Sequence, residues 1–266
     1  MSDYYLYKHS LNYSGPLYKE QKLDEKTCSS LLHDNKEAFF IRNVYDFDTP
    51  QKTHFWYLIK EEADLLENYS YQMRRHIKKA MSQYTIKKIS KSYIQKNGYD
   101  VYCSASKNYK VKSDVLSKHE FEKDIENKSD SCEYWAAFEK TSDVMEAYMI
   151  TKPDDLCCEY MVQKATQKAR LNYCCYYLIY QLNLYYLKDM NLSFVNAGAR
   201  SVTNHSNVQN FLEEKFNFRK AYCQLNVVYQ WWLKPIVNVL FPFRKIIPNN
   251  KIKALLNLEA MKRGLI

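Results

Sequence analysis

A carboxylate inside an apolar strand pattern is the first candidate for chemistry. In "CCEYMV", Glu159 has cysteines, tyrosine, methionine and valine around it. A strand at this place leaves the carboxyl poorly solvated and raises its proton affinity toward that of a general base. If the side chain faces water, or pairs with a nearby Lys or Arg, that role is lost. Further on, "NAGARSVTNHS" gathers Asn196, Gly198, Arg200, Ser201 and His205. The chain has only four glycines, so Gly198 marks a place for close backbone approach or positive φ. Arg200 either clamps a phosphate or carboxylate through two hydrogen bonds or lies exposed on a structural turn. His205 is either an acid–base group or a solvated loop histidine. In "RRHIKK", Arg74, Arg75, Lys78 and Lys79 are spaced i, i+1, i+4, i+5 and share one helix face. That face is a contact for tRNA or polyphosphate, or the solvated end of a surface helix.

The elements that must position these residues follow from periodicity. "AFFIRNVYDF" and "THFWYLIKEE" read as strands within a first 60 residues of loops and short strands. "EEADLLENYSYQMRRHIKKAMSQY" switches to a helical period, giving a basic helix over 62–82. Its stripe comprises Leu65, Leu66, Tyr69, Met73, Ile77, Ala80 and Met81, and its acidic start and basic end suit the helix dipole. Residues 99–128 read as two helical pieces. After a polar stretch near 127–130 the order becomes strand ("CEYWAAFEK"), strand ("DVMEAYMIT"), strand ("LCCEYMVQKAT"), and a long apolar helix ("KARLNYCCYYLIYQLNLYYLKDM"). That helix would place Leu171, Cys174, Cys175, Leu178, Leu182 and Tyr185 on one face. Then come "LSFVNAG" (strand), "SNVQNFLEEKF" (helix, N-capped by Ser206 or Asn207) and "RKAYCQLNVVYQ" (strand). The expected fold class is mixed α/β.

Composition narrows the classes. A formal charge of +9 favours anionic partners, whether nucleic acid, phosphorylated ligand or anionic membrane. The 25 tyrosines are either a stacking surface or one part of a shared inflation of Lys, Asn, Ile and Tyr. Eight scattered cysteines with no CxxC pair argue against zinc and against a disulfide framework, so reduced thiols and a cytoplasmic location are expected. No metal site is expected. "VVYQWWLKPIVNVLFPFRKII" is the most apolar run, but Lys234, Pro235, Asn238, Pro242 and Arg244 interrupt it, so no transmembrane span is expected. Its mix of Trp, Phe and cations suits a membrane interface or a partner groove over 231–247, and equally burial against the N-terminal half.

The strand and helix order, with "NVQNFLEEKFNFRKAY" at its end, resembles the GNAT acyltransferase superfamily over roughly Cys132 to Tyr229. "YSYQMRRHIKKAMSQYTIKKI" is similar to a segment of its FemAB-like, cellulose-biosynthesis-type branch. The resemblance implies a central mixed sheet flanked by helices. It implies a degenerate partial half over 1–130, a complete half over 131–230 and an aromatic, basic extension with an amphipathic helix over 231–266. It implies a cleft where two parallel strands, Leu156–Val162 and Leu192–Gly198, splay apart. GNAT enzymes usually cradle acyl-CoA phosphates on a glycine-rich loop before the long helix, and "QKATQKARLN" has no glycine there. Gln163, Lys164, Lys168 and Arg170, with Asn196, Gly198 and Arg200, are the implied donor-binding residues. Glu159, His205 and Tyr222 are the implied acid–base residues, Tyr222 toward a leaving thiol.

The implied function is transfer of an acyl or aminoacyl group, from acyl-CoA or aminoacyl-tRNA, to an acceptor amine on a small molecule, glycan or peptide. FemAB-like relatives use charged tRNA. Cell-envelope or polysaccharide synthesis, at the cytoplasmic face of the membrane, is the matching setting. The alternatives are a catalytically silent GNAT-like scaffold and, from charge and tyrosines alone, a nucleic-acid-binding module.

Overall fold

Short apolar and aromatic runs form strands, several of them buried on both faces, and runs of period 3.6 form helices. The computed structural model describes residues 3–107, 115–202 and 207–266. The strands are β1 (Tyr4–Tyr7), β2 (Ser10–Tyr13), β3 (Phe40–Tyr45), β4 (Phe55–Lys60), β5 (Tyr84–Ile89), β6 (Glu133–Glu139), β7 (Met145–Pro153), β8 (Cys157–Ala165), β9 (Phe194–Ala199) and β10 (Arg219–Tyr229). The helices are α1 (Glu25–Asp34), α2 (Tyr71–Gln83), α3 (Lys91–Asn97), α4 (Tyr99–Ser106), α5 (Lys118–Glu126), α6 (Gln167–Leu171), α7 (Cys174–Asn183), α8 (Val208–Phe216), α9 (Leu233–Leu240) and α10 (Asn250–Lys262). This is a mixed α/β fold, as the strand and helix order implied. Two compact units are present. One comprises Met1–Tyr57, Ala199–Asn204 and Lys220–Ile266, and the other Leu58–Gly198 and His205–Arg219.

In the second unit the strand order is β9-β8-β7-β6-β5. Neighbours from β5 to β8 are antiparallel, and β9 lies parallel to β8. Alternation sorts the side chains to the two faces. Tyr134, Ile150 and Val162 face a cluster with Ile94, Val101, Phe121 and Ile125 from α3, α4 and α5. On the other face Trp135, Thr151 and Tyr160 meet the α7 segment. The buried Tyr186 hydroxyl accepts from Trp135 Nε1 (2.8 Å), donates to Glu133 Oε2 (2.8 Å) and bonds Thr151 Oγ1 (2.6 Å). A buried hydroxyl with this many partners fixes its helix on the sheet.

The first unit has strand order β1-β2-β3-β10, with β2 parallel to β3 and the other pairs antiparallel. Leu11 and Ile41 pack on Cys28 and Leu32 of α1. Leu233, Val237 and Phe241 pack on Leu256 and Ala260 of α10. The inner face of the 231–247 segment is therefore covered by the helix that follows it.

Three local expectations change. The apolar helix is not continuous. It breaks at Asn172–Tyr173, where Tyr173 is left-handed (φ 60), and α7 then passes into a π-helical turn over Leu184–Asp189. Leu171 lies before the break and is 69% exposed. The basic helix begins at Tyr71, because the Ser70 hydroxyl caps it by accepting from Met73 N. The acidic stretch before it forms a 3-10 turn, and Leu65 and Met81 stay exposed. Finally, α1 lies within the stretch read as loops. Its N-cap Asp24 accepts from Thr27 N at 2.8 Å.

Candidate functional site

The second unit contains a place where two parallel strands stop pairing. β8 and β9 share three rungs: Cys157–Phe194, Cys158–Val195 and Glu159–Asn196. Beyond the last rung β8 runs on to Ala165 without β9 beside it. Two local features explain the parting. Met161 is an extra residue in β8, lying between the rungs Thr151–Tyr160 and Ile150–Val162. Such a bulge bends and twists its strand. On β9, the buried Asn196 turns its side-chain oxygen back to accept from Gly198 N at 2.9 Å. A short amide that captures the backbone two residues on competes with the sheet ladder. Gly198 adopts φ +95, and no described atom lies within 4 Å of where a Cβ on it would stand. The backbone there borders open space.

Glu159 and Asn196 share the last rung and project to the same face. Glu159 is half-buried. Burial raises the proton affinity of its carboxyl, with Asp154 adding to the effect and its cross-strand partner Lys152 opposing it. Among the described residues no hydrogen bond or ion pair reaches that carboxylate. It is a carboxyl of raised proton affinity at the edge of the parting.

The remaining donor-site candidates on β8 and α6 differ in how free they are. Gln163 Nε2 is buried without a hydrogen-bond partner. Lys164 Nζ lies over the Tyr102 ring at 5.4 Å. Lys168 pairs with Glu139 (2.6 Å) and Glu146 (3.7 Å). Arg170 is exposed. The start of α6 is capped by Thr166, whose hydroxyl accepts from Ala169 N at 3.1 Å and donates to Glu146. A phosphate at this helix start would compete with those protein groups.

Arg200 belongs to the first unit. Its guanidinium donates to the carbonyls of His54 (2.8 Å) and Ile266 (3.0 Å). Tyr222 is half-buried on β10 in that unit. His205 lies outside the described residues.

On α2, Arg75, Lys78 and Lys79 are exposed, while Arg74 turns inward to donate to the carbonyls of Tyr69 (2.8 Å) and Glu67 (3.2 Å). His76 stacks on Tyr173 with ring centroids 3.8 Å apart, and Lys79 Nζ lies 5.3 Å from that ring. Burial, then Arg75, Lys215 and Lys79, hold the imidazole below its ordinary pKa. The surface is thus basic and aromatic together. Residue-by-residue reading missed His76 and Tyr173, because a stack between α2 and the break before α7 has no sequence signature. It also missed Tyr160 and Asn183, linked on the other sheet face by a 2.8 Å hydrogen bond with Asn183 Nδ2 left unpartnered. The lone Asn in "YLIYQLNLYY" was the available signal.

A separate depression of about 510 Å³ lies at the β5–β6 end, lined by Lys88, Lys91, Asp130 and Glu133 among others. Its lysines are already paired, Lys88 with Glu133 and Lys91 with Asp130. No cluster able to hold a metal occurs among the described residues. The four thiols of β8 and α7 are unsuited to nucleophilic work, because burial raises Cys157, Cys158 and Cys174 well above the ordinary range and Cys175 to about 11.

Solved structures share this architecture. The crystal structure of FemX matches with TM-score 0.50 at 8% identity, over 80% of this chain and 78% of that one. The C-terminal domain of a putative lysylphosphatidylglycerol synthetase from Agrobacterium fabrum matches with TM-score 0.53 at 9% identity, over 90% and 84%. L-PGS from Bacillus licheniformis matches with TM-score 0.50 at 10% identity, over 89% and 83%. No protein-family model and no curated protein sequence matches the chain. At such identities the likeness is one of fold, and the fold is the GNAT/FemAB-like one that the sequence motifs implied.

Proposed function

We propose that this chain, sharing its fold with FemX and a lysylphosphatidylglycerol synthetase domain, is an acyl- or aminoacyl-transferase acting on an acceptor amine. The observation that carries the reading is the parting of β8 from β9 directly after the Glu159–Asn196 rung. An acyl donor needs an extended slot, and an attacking amine needs a base beside it. Glu159 takes the amine proton, and the acceptor nitrogen attacks the donor carbonyl. As the new C–N bond forms, the bond from the carbonyl carbon to the donor's ester oxygen or thioester sulfur breaks, and the proton held by Glu159 passes to that leaving atom. No covalent intermediate on the enzyme is involved. Arg200, His205 and Tyr222 are carried as further candidates from the sequence, for single alanine substitutions to weigh.

Aminoacyl-tRNA is the donor better supported. The α6 start is capped by its own Thr166 and Lys168 is held by two carboxylates, which disfavours a phosphate cradle for acyl-CoA. The exposed cations of α2 offer a contact for a nucleic-acid backbone. A peptide or glycan amine of a cell-envelope precursor is the acceptor class this reading favours, with the protein at the cytoplasmic face of the membrane.

The test is label transfer from charged tRNA, and in parallel from acyl-CoAs, to a panel of amines. Melting-temperature shifts report binding of each donor. Glu159→Gln is expected to lower turnover by about 10²–10⁴-fold while leaving donor binding intact. If neither donor shifts the melting temperature and no label moves, the reading fails. The self-satisfied α6 start would then favour the catalytically silent scaffold.

A further inference from the structure

The first unit carries an apolar face that its own packing leaves uncovered. Along 231–247 the helical turns of α9 and the 3-10 turn after it present two stripes. The inner one, Leu233, Val237 and Phe241, packs on α10. The outer one is Trp232, Ile236, Val239, Phe243 and Ile246, spaced 4, 3, 4, 3, and every member is exposed. Val239 is 68% and Ile246 76% exposed, and Trp231 beside them is 84% exposed. Soluble surfaces rarely leave a row of this length open. It extends onto neighbouring elements, because Trp232 meets the edge of Phe39 (5.4 Å), itself exposed and stacked on His9 (4.3 Å).

Within the segment that carries the stripe the charges have one sign. Residues 231–258 contain Lys234, Arg244, Lys245, Lys251 and Lys253 and no Asp or Glu. Lys234, Lys245, Lys251 and Lys253 are exposed. Tryptophan and phenylalanine flanked by cations, on a short helix lying along the surface, match the chemistry of a headgroup boundary. There rings sink to the acyl edge and lysines meet anionic phosphates. A second protein copy would bring five more like charges against the same face.

We propose that this face docks on the surface of an anionic bilayer, with Trp231, Trp232, Ile236, Val239, Phe243 and Ile246 entering the interface and the surrounding lysines contacting lipid phosphates. The docking is peripheral, since no helix among the described residues is long and apolar enough to cross a membrane. It goes beyond the transfer reaction and stands without it.

The experiment is co-sedimentation of the full chain with vesicles of phosphatidylcholine alone, and of phosphatidylcholine with about 30% phosphatidylglycerol or phosphatidylserine. Tryptophan emission is followed in parallel. Binding to both anionic vesicles, with a blue shift and little binding to phosphatidylcholine alone, is expected. The triple variant V239S/F243S/I246S alters only exposed side chains and is expected to keep its melting temperature and lose partitioning by more than about tenfold. The variant K234E/K245E/K251E is expected to bind less and to lose the salt dependence. E159Q is expected to bind vesicles like the native chain, which separates this proposal from the transferase reading. The proposal is overturned if anionic vesicles are ignored or if the serine variant binds undiminished. Light scattering that shows a dimer dissolved by the same serine variant would reassign the face to a second copy and overturn it too.

Discussion

Glu159 combines two properties that separate experiments can resolve. Its carboxyl is half-buried and holds its proton more tightly than an ordinary glutamate, chiefly through burial. Because the affinity is raised in the folded state, the stability tied to this group is complete below the ordinary carboxylate range and is lost as pH rises through the folded value. Glu159→Gln removes that loss. The variant is expected to melt higher than the native protein near about pH 7, with the advantage vanishing below about pH 4, while its turnover collapses. A melting curve at each pH checks the first half. Asn196→Asp keeps an acceptor for Gly198 N but sets a second carboxylate on the same rung. It should push the acidic limb of the pH–rate profile further up, since like charges disfavour ionisation. An unshifted limb would remove Glu159 from the base role. Gly198→Ala meets no steric obstacle, so its cost, about 1 kcal/mol or more, comes from the positive φ alone. A denaturant titration measures it.

At the scale of elements, the bulge, the broken helix and the caps decide what the site is. Thr166 ends β8's run and starts α6, with its hydroxyl bound to Ala169 N and Glu146. Thr166→Ala is expected to destabilise by about 1–2 kcal/mol in urea. It also frees the helix start, so any affinity for acyl-CoA should rise or stay unchanged. A fall would mean that Thr166 itself binds the donor. Strand identities in 131–230 were legible in the sequence, because β6 and β7 are near-continuous apolar runs buried on both faces and β8, β9 and β10 carry apolar or aromatic runs bounded by polar residues. The helix break was not legible. "ARLNYCC" keeps a helical period through Asn172, and only the left-handed Tyr173, seated against His76, interrupts it. The start of α2 was misplaced for a related reason. "EEADLLEN" has the right composition for a helix, but Ser70 wins as the cap and the residues before it tighten into a 3-10 turn.

For the molecule as a whole, charge and thiol chemistry give predictions that need no site. With a net charge of +9, any polyanion it holds should bind with an affinity that falls linearly in log–log plots against salt. A flat dependence for tRNA would remove the α2 contact. Cys28, Cys132, Cys157, Cys158, Cys174 and Cys223 are free and buried, and burial lifts Cys223 to about 12. Thiol reagents should therefore label these six slowly in the native protein and fast in urea, and reductant should leave the melting temperature unchanged.

The sequence alone determined the apolar strand runs, the order that resembles an acyltransferase half, the basic helix and the suspicion attached to Glu159 and Gly198. All of these rest on local periodicity, composition or the rarity of a residue type. Tertiary structure alone decided that Glu159 and Asn196 share the last rung of a ladder that then opens, that Lys168 is already held by two carboxylates, and that the 231–247 segment turns one stripe inward and one outward. Those facts depend on register and on which of two faces meets a neighbour, and a chain read one residue at a time carries no distance between segments far apart in it.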